Sequence, residues 1–380
     1  MRASKGSITG ASTVSKVIND ASGKIKLKGT YNIGIFGDNA DAENNGAVIT
    51  DTDVKNSIGI GGTGSDATIT NNGTITLTAS GDSQNTGFYL GNKAKGSTTS
   101  SSDINLSGDN AIGLYVDGKS EITSYSGKAT VNGDGGYGLV LNNNSKVTGG
   151  SGKIILKGTS GINSSSSGET VISTTPTLVK RGAAGIAILD NSSKIIGDID
   201  LTADVSGTNS VGVYSKGSVS IDEANVKAYD GAVNFYSNGG SIEIGNSSGI
   251  STVVTGTGTK QGSLLFYSDP VNGGSFKLSS RVNAFVEGGS TNATRGTAFY
   301  YANSGVALGS YVPLNTSAIS SWASSTFNNS LGNLYLDMKN DSRLFLTEKI
   351  DIDLSNTVAT NLFSGLGVAN SPHISGTNYR

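Results

Sequence analysis

The sequence predicts an all-β chain wound into a single right-handed parallel β-helix, with three short strands in each coil of about 25 residues. The first observation behind this prediction is a repeated phrase: an apolar residue, Gly and a second apolar residue, often followed by Tyr or Phe. Its glycines are spaced 23 to 28 residues apart, at Gly34, Gly59, Gly87, Gly113, Gly138, Gly161, Gly185 and Gly212. A near-constant period of this length indicates stacked copies of one supersecondary unit.

The second observation is a pair of strand-like segments between successive phrases. Polar and aliphatic residues alternate before the phrase at residues 24–28, 74–78, 103–106 and 198–201, and after it at 121–123, 146–148, 218–221 and 241–244. Alternation with a period of two, bounded by Gly, Asn, Asp and Ser, predicts short strands. A single coil cannot bury its aliphatic side chains alone, so stacking must supply both the core and the strand pairing.

The third observation is that the phrase continues without its glycine at residues 233–236, 264–267 and 297–300, with a last weak copy expected at 333–335. The steps lengthen here, and in a stacked repeat a longer step indicates a loop that leaves the coil. We therefore predict one solenoid, with regular coils over residues 1–240 and coils with longer loop insertions over 241–380. The C-terminus shows no capping helix or closing strand, so we expect a segment of a longer chain.

Composition restricts the classes of function. The 380 residues carry a formal net charge of −2 and include no cysteine. The sequence therefore has no disulfide framework and no cysteine-based metal site, and its charge gives no footprint for nucleic acid. No apolar run is long enough to span a membrane, and no signal-peptide core follows the N-terminus. We predict no cofactor and no nucleic-acid partner.

Three motifs resemble the passenger domains of type V autotransporters, and in particular the very large fusobacterial outer-membrane adhesins. These motifs are Gly-Leu-Tyr-Val at residues 113–116, Asn-Gly-Thr-Ile-Thr-Leu at 72–77 and Asn-Asn-Ser-Lys-Val at 143–147, and the resemblance extends over about residues 22–355. It implies an extracellular, cell-surface location and adhesion to a host-cell receptor, a glycan or another bacterial surface. Contact with the membrane is then expected only through a C-terminal barrel outside this sequence.

Enzymes also use this fold, and paired carboxylates are the candidates for catalysis or cation binding. Asp198 with Asp200, and Asp351 with Asp353, are two residues apart on predicted strands, and such residues share a face. Either pair could offer oxygen ligands to a hard cation, or could simply form the solvated half of an alternating strand. His373 has no partners typical of a catalytic triad. We predict no catalytic and no metal-ligating residue.

The aromatic residues of the phrase give the most information about binding. The apolar residues beside each glycine are expected to point inward, which would turn the glycine and the residue two positions later outward. That outward position holds Phe36, Tyr89, Tyr115, Tyr214, Tyr236, Tyr267 and Tyr300. These rings either shield a neighbouring column of glycines, as in aromatic rescue of sheet glycines, or form an exposed stripe for a sugar or protein partner.

Loops move the predicted site to the second half of the chain, where residues 302–332 depart from the strand pattern. We predict a partner-binding surface formed by Tyr236, Tyr267, Tyr300, Tyr311 and Trp322, because Trp and Tyr are enriched at binding hot spots. The adjacent cations Lys180 and Arg181 are interpreted as a solvated turn. The predicted function is a cell-surface adhesin segment, and the alternatives are a carbohydrate-active β-helix enzyme and a passive spacer rod.

Overall fold

The computed structural model is an all-β solenoid of three parallel sheets, which confirms the predicted parallel β-helix with three strands per coil. It describes residues 1–4, 15–157, 182–247, 249–259, 261–291, 294–301, 316–339, 341–346, 363, 368 and 370–376. Within those residues, no helix is long and apolar enough to cross a membrane. The right-handed sense of winding stays a prediction.

The strands of the described residues fall into three sheets, numbered in the order in which the chain meets them. Sheet 1 contains β1 (Arg2–Ser4), β4 (Ile33–Asp38), β7 (Ile58–Thr63), β10 (Thr86–Gly91), β13 (Ile112–Val116), β16 (Tyr137–Leu141), β19 (Ala184–Ile188), β22 (Val211–Ser215), β25 (Val233–Ser237), β28 (Leu264–Ser268), β31 (Thr297–Tyr300) and β33 (Arg343–Leu346). Sheet 2 contains β2 (Lys16–Asn19), β5 (Asp41–Asn44), β8 (Thr68–Asn71), β11 (Lys95–Thr98), β14 (Glu121–Tyr125), β17 (Lys146–Val147), β20 (Lys194–Ile195), β23 (Ser218–Ile221), β26 (Ser241–Ile244) and β29 (Ser275–Leu278).

Sheet 3 contains β3 (Lys24–Thr30), β6 (Ala47–Lys55), β9 (Thr74–Leu77), β12 (Asp103–Ser107), β15 (Lys128–Asn132), β18 (Lys153–Lys157), β21 (Asp200–Ser206), β24 (Ala224–Tyr229), β27 (Ser251–Thr255), β30 (Val282–Val286), β32 (Leu334–Met338) and β34 (His373–Gly376). The glycine phrase therefore forms sheet 1, the segment after it forms sheet 2 and the segment before it forms sheet 3. One helix, α1 (Thr316–Thr326), and a 3₁₀ turn (Leu331–Asn333) complete the described elements.

Alternating side chains build the interior, as the strand pattern predicts. In β12, Ile104 and Leu106 are buried, whereas Asp103 and Asn105, which alternate with them, are partly exposed. Because paired strands are parallel and in register, Ile104 lies beside Ile75 on one side and Ala129 on the other. The same stacking along the other strands produces one continuous hydrophobic core. Burial of these aliphatic rows is the main driving force for stacking the coils.

The phrase glycines face the interior, so the expectation that they point outward is wrong. In β13, Leu114 belongs to the core while Ile112 packs in a separate cluster on the outer face, so alternation is broken at Gly113 between them. A Cβ on Gly113 would lie 3.3 Å from Val131 Cγ2 and 3.4 Å from Ala129 Cβ, both on the inner side of sheet 3. The missing side chain lets sheet 1 approach sheet 3 closely.

Direct pairing of strands shows which copies of the phrase are neighbours, and it corrects the last predicted copy. Strand β16 pairs directly with β19, so the phrases at Gly138 and Gly185 are neighbours in sheet 1. The predicted copy at Gly161 lies outside the described residues. Residues 333–335 are not the last copy, because Leu334 and Tyr335 belong to β32 of sheet 3. The last described copy of the phrase is β33, which pairs with β31.

Where the glycine is lost, another side chain fills its inward position. Asn234, Leu265, Ala298 and Leu344 occupy it in the later strands of sheet 1, and all four are buried. The next inward position becomes aromatic in the same coils, with ring centroids 5.5 Å apart for Phe235 and Phe266 and 6.1 Å apart for Phe266 and Phe299. The interior of these coils therefore holds larger side chains than the interior of the glycine-containing coils.

A row of buried amides orders the corner between sheets 2 and 3 in the first coils. Asn19 Nδ2 donates to Asn44 Oδ1 at 2.8 Å, and Asn44 Nδ2 donates to Asn71 Oδ1 at 2.8 Å. Asn71 Nδ2 then donates to Ser102 Oγ at 2.5 Å and to the carbonyl of Gly73. Buried amides are costly unless they are hydrogen-bonded, and here each coil satisfies the next.

The described part of sheet 2 ends two strands earlier than the other sheets, because α1 takes the place of its next strand. Ser330 Oγ accepts a hydrogen bond from the backbone N–H of Leu278 at 2.9 Å, and Asn333 Nδ2 donates to the carbonyl of Leu278 at 2.6 Å. Helix α1 packs Ile319 and Ala323 onto the core. The edge of β29 is thus both hydrogen-bonded by side chains and covered by a helix.

The inward glycine column can be tested at Gly185. A Cβ there would lie 2.6 Å from the carbonyl oxygen of Gly212 and 2.9 Å from Leu201 Cδ1. We expect Gly185→Ala to lower the free energy of unfolding by about 1–3 kcal/mol through overpacking, measured by urea denaturation. The control is Gly197→Ala, whose Cβ would meet its nearest neighbour at an ordinary 3.4 Å. Equal losses for the two variants would contradict the inward orientation.

Candidate binding surfaces

The outer face of sheet 1 carries a tyrosine ladder, which we define as Tyr214, Tyr236, Tyr267 and Tyr300. These residues lie two positions after the phrase glycine or the residue that replaces it, and their outward direction is as predicted. Ring centroids lie 5.1 Å apart for Tyr214 and Tyr236 and 4.6 Å apart for Tyr236 and Tyr267, both with edge-to-face geometry. Tyr267 and Tyr300 follow at 4.5 Å. In-register pairing of β22, β25, β28 and β31 brings together residues far apart in sequence.

The ladder is packed rather than fully open. Tyr214, Tyr236 and Tyr300 expose 2%, 3% and 6% of their surface, and Tyr267 is half-buried. Tyr214 and Tyr236 belong to an outer hydrophobic cluster that also contains Val211 and Val233. The rings do not shield the phrase glycines, because those glycines face the interior. Contact between neighbouring rings stabilises the sheet, and binding at the ladder stays a prediction.

The hydroxyl groups of two ladder tyrosines are hydrogen-bonded by polar side chains at and near the turn that follows β28. Tyr236 Oη donates to Asp269 Oδ2 at 2.8 Å, and Asp269 Oδ1 accepts from the backbone N–H of Asn272 at 2.8 Å. Asn238 Nδ2 donates to Tyr214 Oη at 2.9 Å and links to the same turn through Asn272. Burial raises the pKa of Tyr236 far above its ordinary value, and the hydrogen bond to Asp269 is the second largest cause of this shift. Burial likewise raises the pKa of Tyr214 to about 12.

A shallow cleft of about 310 Å³ adjoins this turn at the corner between sheets 1 and 2. We name it the turn–helix cleft, and its lining comes from the turn and from α1: Ser268, Asp269, Pro270, Gly273, Gly274, Trp322, Ser325 and Thr326. Asp269 therefore joins the ladder to the cleft, and Trp322 forms part of the opposite wall. Of the five predicted binding residues, four lie along this one region, and Tyr311 lies outside the described residues.

Trp322 also packs into the core, which changes how its role can be tested. Its ring centroid lies 5.4 Å from that of Tyr301, 5.8 Å from that of Phe327 and 5.9 Å from those of Phe299 and Phe345. Only part of the indole is left for the turn–helix cleft. Removing Trp322 would therefore disturb the fold as well as any binding.

A second surface, on the outer face of sheet 3, was missed by the sequence reasoning. The Arg281 guanidinium carbon lies 4.0 Å from the centroid of the Tyr335 ring, and the His373 ring stacks on Tyr335 at 4.2 Å with an interplanar angle of 11°. Pairing of β32 with β34 places His373 directly beside Tyr335. The available signal was the polar alternation of residues 334–338, but nothing in the sequence pairs this segment with His373.

This stack borders an open cleft of about 450 Å³, which we name the stack cleft. Its lining is formed by three adjacent strands and the residue before the first of them: Arg281, Asn283, Ala284, Phe285, Tyr335, Leu336, Asp337, His373, Ile374 and Ser375. Asp337 forms an ion pair with Lys339, with Nζ and Oδ2 2.7 Å apart. In the part of the chain that the structure describes, Arg281 has no carboxylate partner. The cleft combines planar rings, one uncompensated cation and several hydroxyl or amide groups.

The described carboxylate candidates, Asp198 and Asp200, lie beside polar or charged side chains of other coils. Asp198 Oδ1 accepts from Asn246 Nδ2 at 3.2 Å, and Asp200 lies in register beside Lys153. Burial raises the pKa of Asp200, and the nearby Glu223 and Asp222 raise it further. Among the described residues, no group of three or more His, Cys, Asp or Glu could hold a metal ion. Asp351, Asp353, Lys180 and Arg181 lie outside the described residues.

Comparison of the chain with protein-family models, with curated proteins and with solved structures found no match. The architecture itself is a parallel β-helix, consistent with the fold of the autotransporter passengers that the sequence resembles. The same fold suits an adhesin, an enzyme or a spacer rod, because fold alone does not determine function. Function must therefore be inferred from the tyrosine ladder and the two clefts.

Alkaline pH should weaken the ladder through Tyr214. The pKa of Tyr214 is about 12 in the folded state, whereas an unfolded tyrosine titrates near 10. The contribution of the neutral Tyr214 hydroxyl to folding stability is therefore fully present below pH 10 and is lost as the pH rises through 12. We expect the wild type to lose about 1 kcal/mol more unfolding free energy than Tyr214→Phe between pH 9 and pH 11. Urea denaturation at the two pH values measures this difference. Tyr31→Phe, at a residue 80% exposed, should behave like the wild type.

The packing role of Trp322 predicts a stability loss. Trp322→Ala removes contacts with four aromatic rings and should lower the free energy of unfolding by about 2–4 kcal/mol, measured by urea denaturation. Ser321→Ala, at an exposed neighbour on α1, should change it by less than about 0.5 kcal/mol. An unchanged free energy of unfolding for Trp322→Ala would contradict this packing role.

Proposed function

We propose that this chain is a cell-surface adhesin segment, an extracellular passenger rod that binds a host-cell receptor or glycan or another bacterial surface. The observation that carries the proposal is the turn–helix cleft, where the polar end of the tyrosine ladder meets the half-buried Trp322 on a rigid scaffold. Rigid strands place these groups before a partner arrives, and pre-organisation of this kind lowers the entropic cost of binding. The shape is shallow and open, as suits a surface contact.

The chemistry of the cleft supports recognition of a mixed polar and apolar surface. Asp269 offers a carboxylate already oriented by Tyr236 and by the backbone of its own turn. Ser325 and Thr326 add hydroxyl groups on α1, and Trp322 adds an aromatic wall. Aromatic side chains flanked by polar groups are typical of the centres of protein interfaces. Val271, at the tip of the turn, is almost fully exposed beside the cleft.

The experiment should fill the cleft without touching the core. Ser325→Arg places a long side chain into the cleft, because Ser325 lines it from the exposed side of α1. Ser321→Arg makes the same substitution on the same helix at an exposed residue that does not line the cleft. Both variants should keep the wild-type unfolding midpoint. The measurement is attachment of cultured host cells and of other bacteria to surfaces coated with each protein.

We expect Ser325→Arg to reduce attachment at least about tenfold, which corresponds to a loss of about 1.4 kcal/mol, and Ser321→Arg to leave it unchanged. Equal attachment by both variants would exclude the turn–helix cleft. A wild-type rod that attaches to no surface would favour the spacer. Release of sugar fragments from polysaccharides by the wild-type protein would favour the enzyme.

A further inference from the structure

The stack cleft on sheet 3 holds a cation whose position is fixed and whose charge is not neutralised. Arg281 Nε donates to Asn283 Oδ1 at 2.7 Å, and the guanidinium lies over the Tyr335 ring. These two contacts orient the guanidinium, and the Arg281 side chain is exposed to solvent. In the described residues no carboxylate pairs with it. A planar guanidinium of this kind is well suited to binding a carboxylate in a bidentate manner.

Three strands arrange the rest of the cleft in two parallel rows. Pairing places Asn283, Tyr335 and His373 side by side, and places Phe285, Asp337 and Ser375 side by side two residues further along. The first row contains the stacked Tyr335 and His373 rings and the Asn283 amide that accepts the hydrogen bond from Arg281. The second row combines a ring that is 37% exposed with a carboxylate and a hydroxyl group.

The two rows match the chemistry of a sugar that carries a carboxylate. The Phe285 ring offers an apolar face for the C–H groups of a pyranose ring. Asp337 and Ser375 offer hydrogen-bonding groups to sugar hydroxyls, and Arg281 offers a partner for the carboxylate. The volume of about 450 Å³ is within the range of small-ligand sites.

We propose that the stack cleft binds an acidic glycan, with a sugar carboxylate on Arg281 and a sugar ring against Phe285. Local charge favours this class of ligand, because Lys339 neutralises Asp337 and Arg281 then leaves an excess positive charge in the cleft. A nucleic acid fits less well, because the chain carries a net charge of −2 and one exposed cation cannot track a phosphate backbone. This site does not depend on the turn–helix cleft.

Isothermal titration calorimetry tests the proposal with a matched pair of probes. One probe is an oligomer of galacturonic acid, and the other is the same oligomer with each carboxylate reduced to a hydroxymethyl group. We expect the wild type to bind the acidic oligomer at least about tenfold more tightly than the reduced one. Arg281→Gln should abolish that preference, and Phe285→Ala should weaken binding of both oligomers. Affinity for the acidic oligomer should fall with added salt.

The control variant is Lys227→Gln, which removes one exposed cation from the outer face of sheet 3 in an earlier coil. It should bind the acidic oligomer as the wild type does. Equal affinity for the two oligomers, no binding of either, or an unchanged preference in Arg281→Gln would each overturn the proposal. Tighter binding of a single-stranded oligonucleotide than of the acidic oligomer would also overturn it. Ser325→Arg should bind the acidic oligomer normally, so this result is independent of the adhesion test.

Discussion

In-register parallel pairing between successive coils is the constraint on which the rest of the structure depends. Each strand sits beside its equivalent from the previous coil, so a given position recurs along the rod at the spacing of neighbouring strands, about 4.8 Å. The aliphatic rows of the interior, the buried amides from Asn19 to Ser102 and the tyrosine ladder all follow from this one alignment. A change at one position is therefore felt by two neighbouring coils.

The width of the interior is set by the position that glycine occupies in the repeat. Glycines in sheet 1 face bulky aliphatic residues of sheet 3, so the two sheets come close together. In the later coils, Leu265, Ala298 and Leu344 replace the glycine, and stacked phenylalanines join them. Part of the high aromatic content of the second half of the chain therefore fills the interior of the coils. Trp322 and Phe327 of the α1 region extend the same aromatic core.

The sequence alone allowed prediction of the solenoid, its three strands per coil and the outward direction of the ladder tyrosines, because period and alternation depend on local pattern. The inward glycines could not be predicted in the same way. Apolar residues such as Ile112 lie on the outer face, so polarity does not separate the two faces of sheet 1. The stack cleft depends on pairing of Tyr335 with His373, two residues far apart in the sequence, which no local pattern encodes. Residues 302–332 were predicted to depart from the strand pattern, but not to contain helix α1.

The early end of sheet 2 has a consequence for how molecules meet in solution. Open strand edges invite pairing with the edge of another chain, and this route leads to aggregation. At β29 the hydrogen-bonding groups of Leu278 are satisfied by Ser330 and Asn333, and α1 packs against the strand. A second rod approaching this edge of sheet 2 would meet α1 and the already hydrogen-bonded Leu278. On this side of the coil, the chain protects itself against intermolecular strand addition.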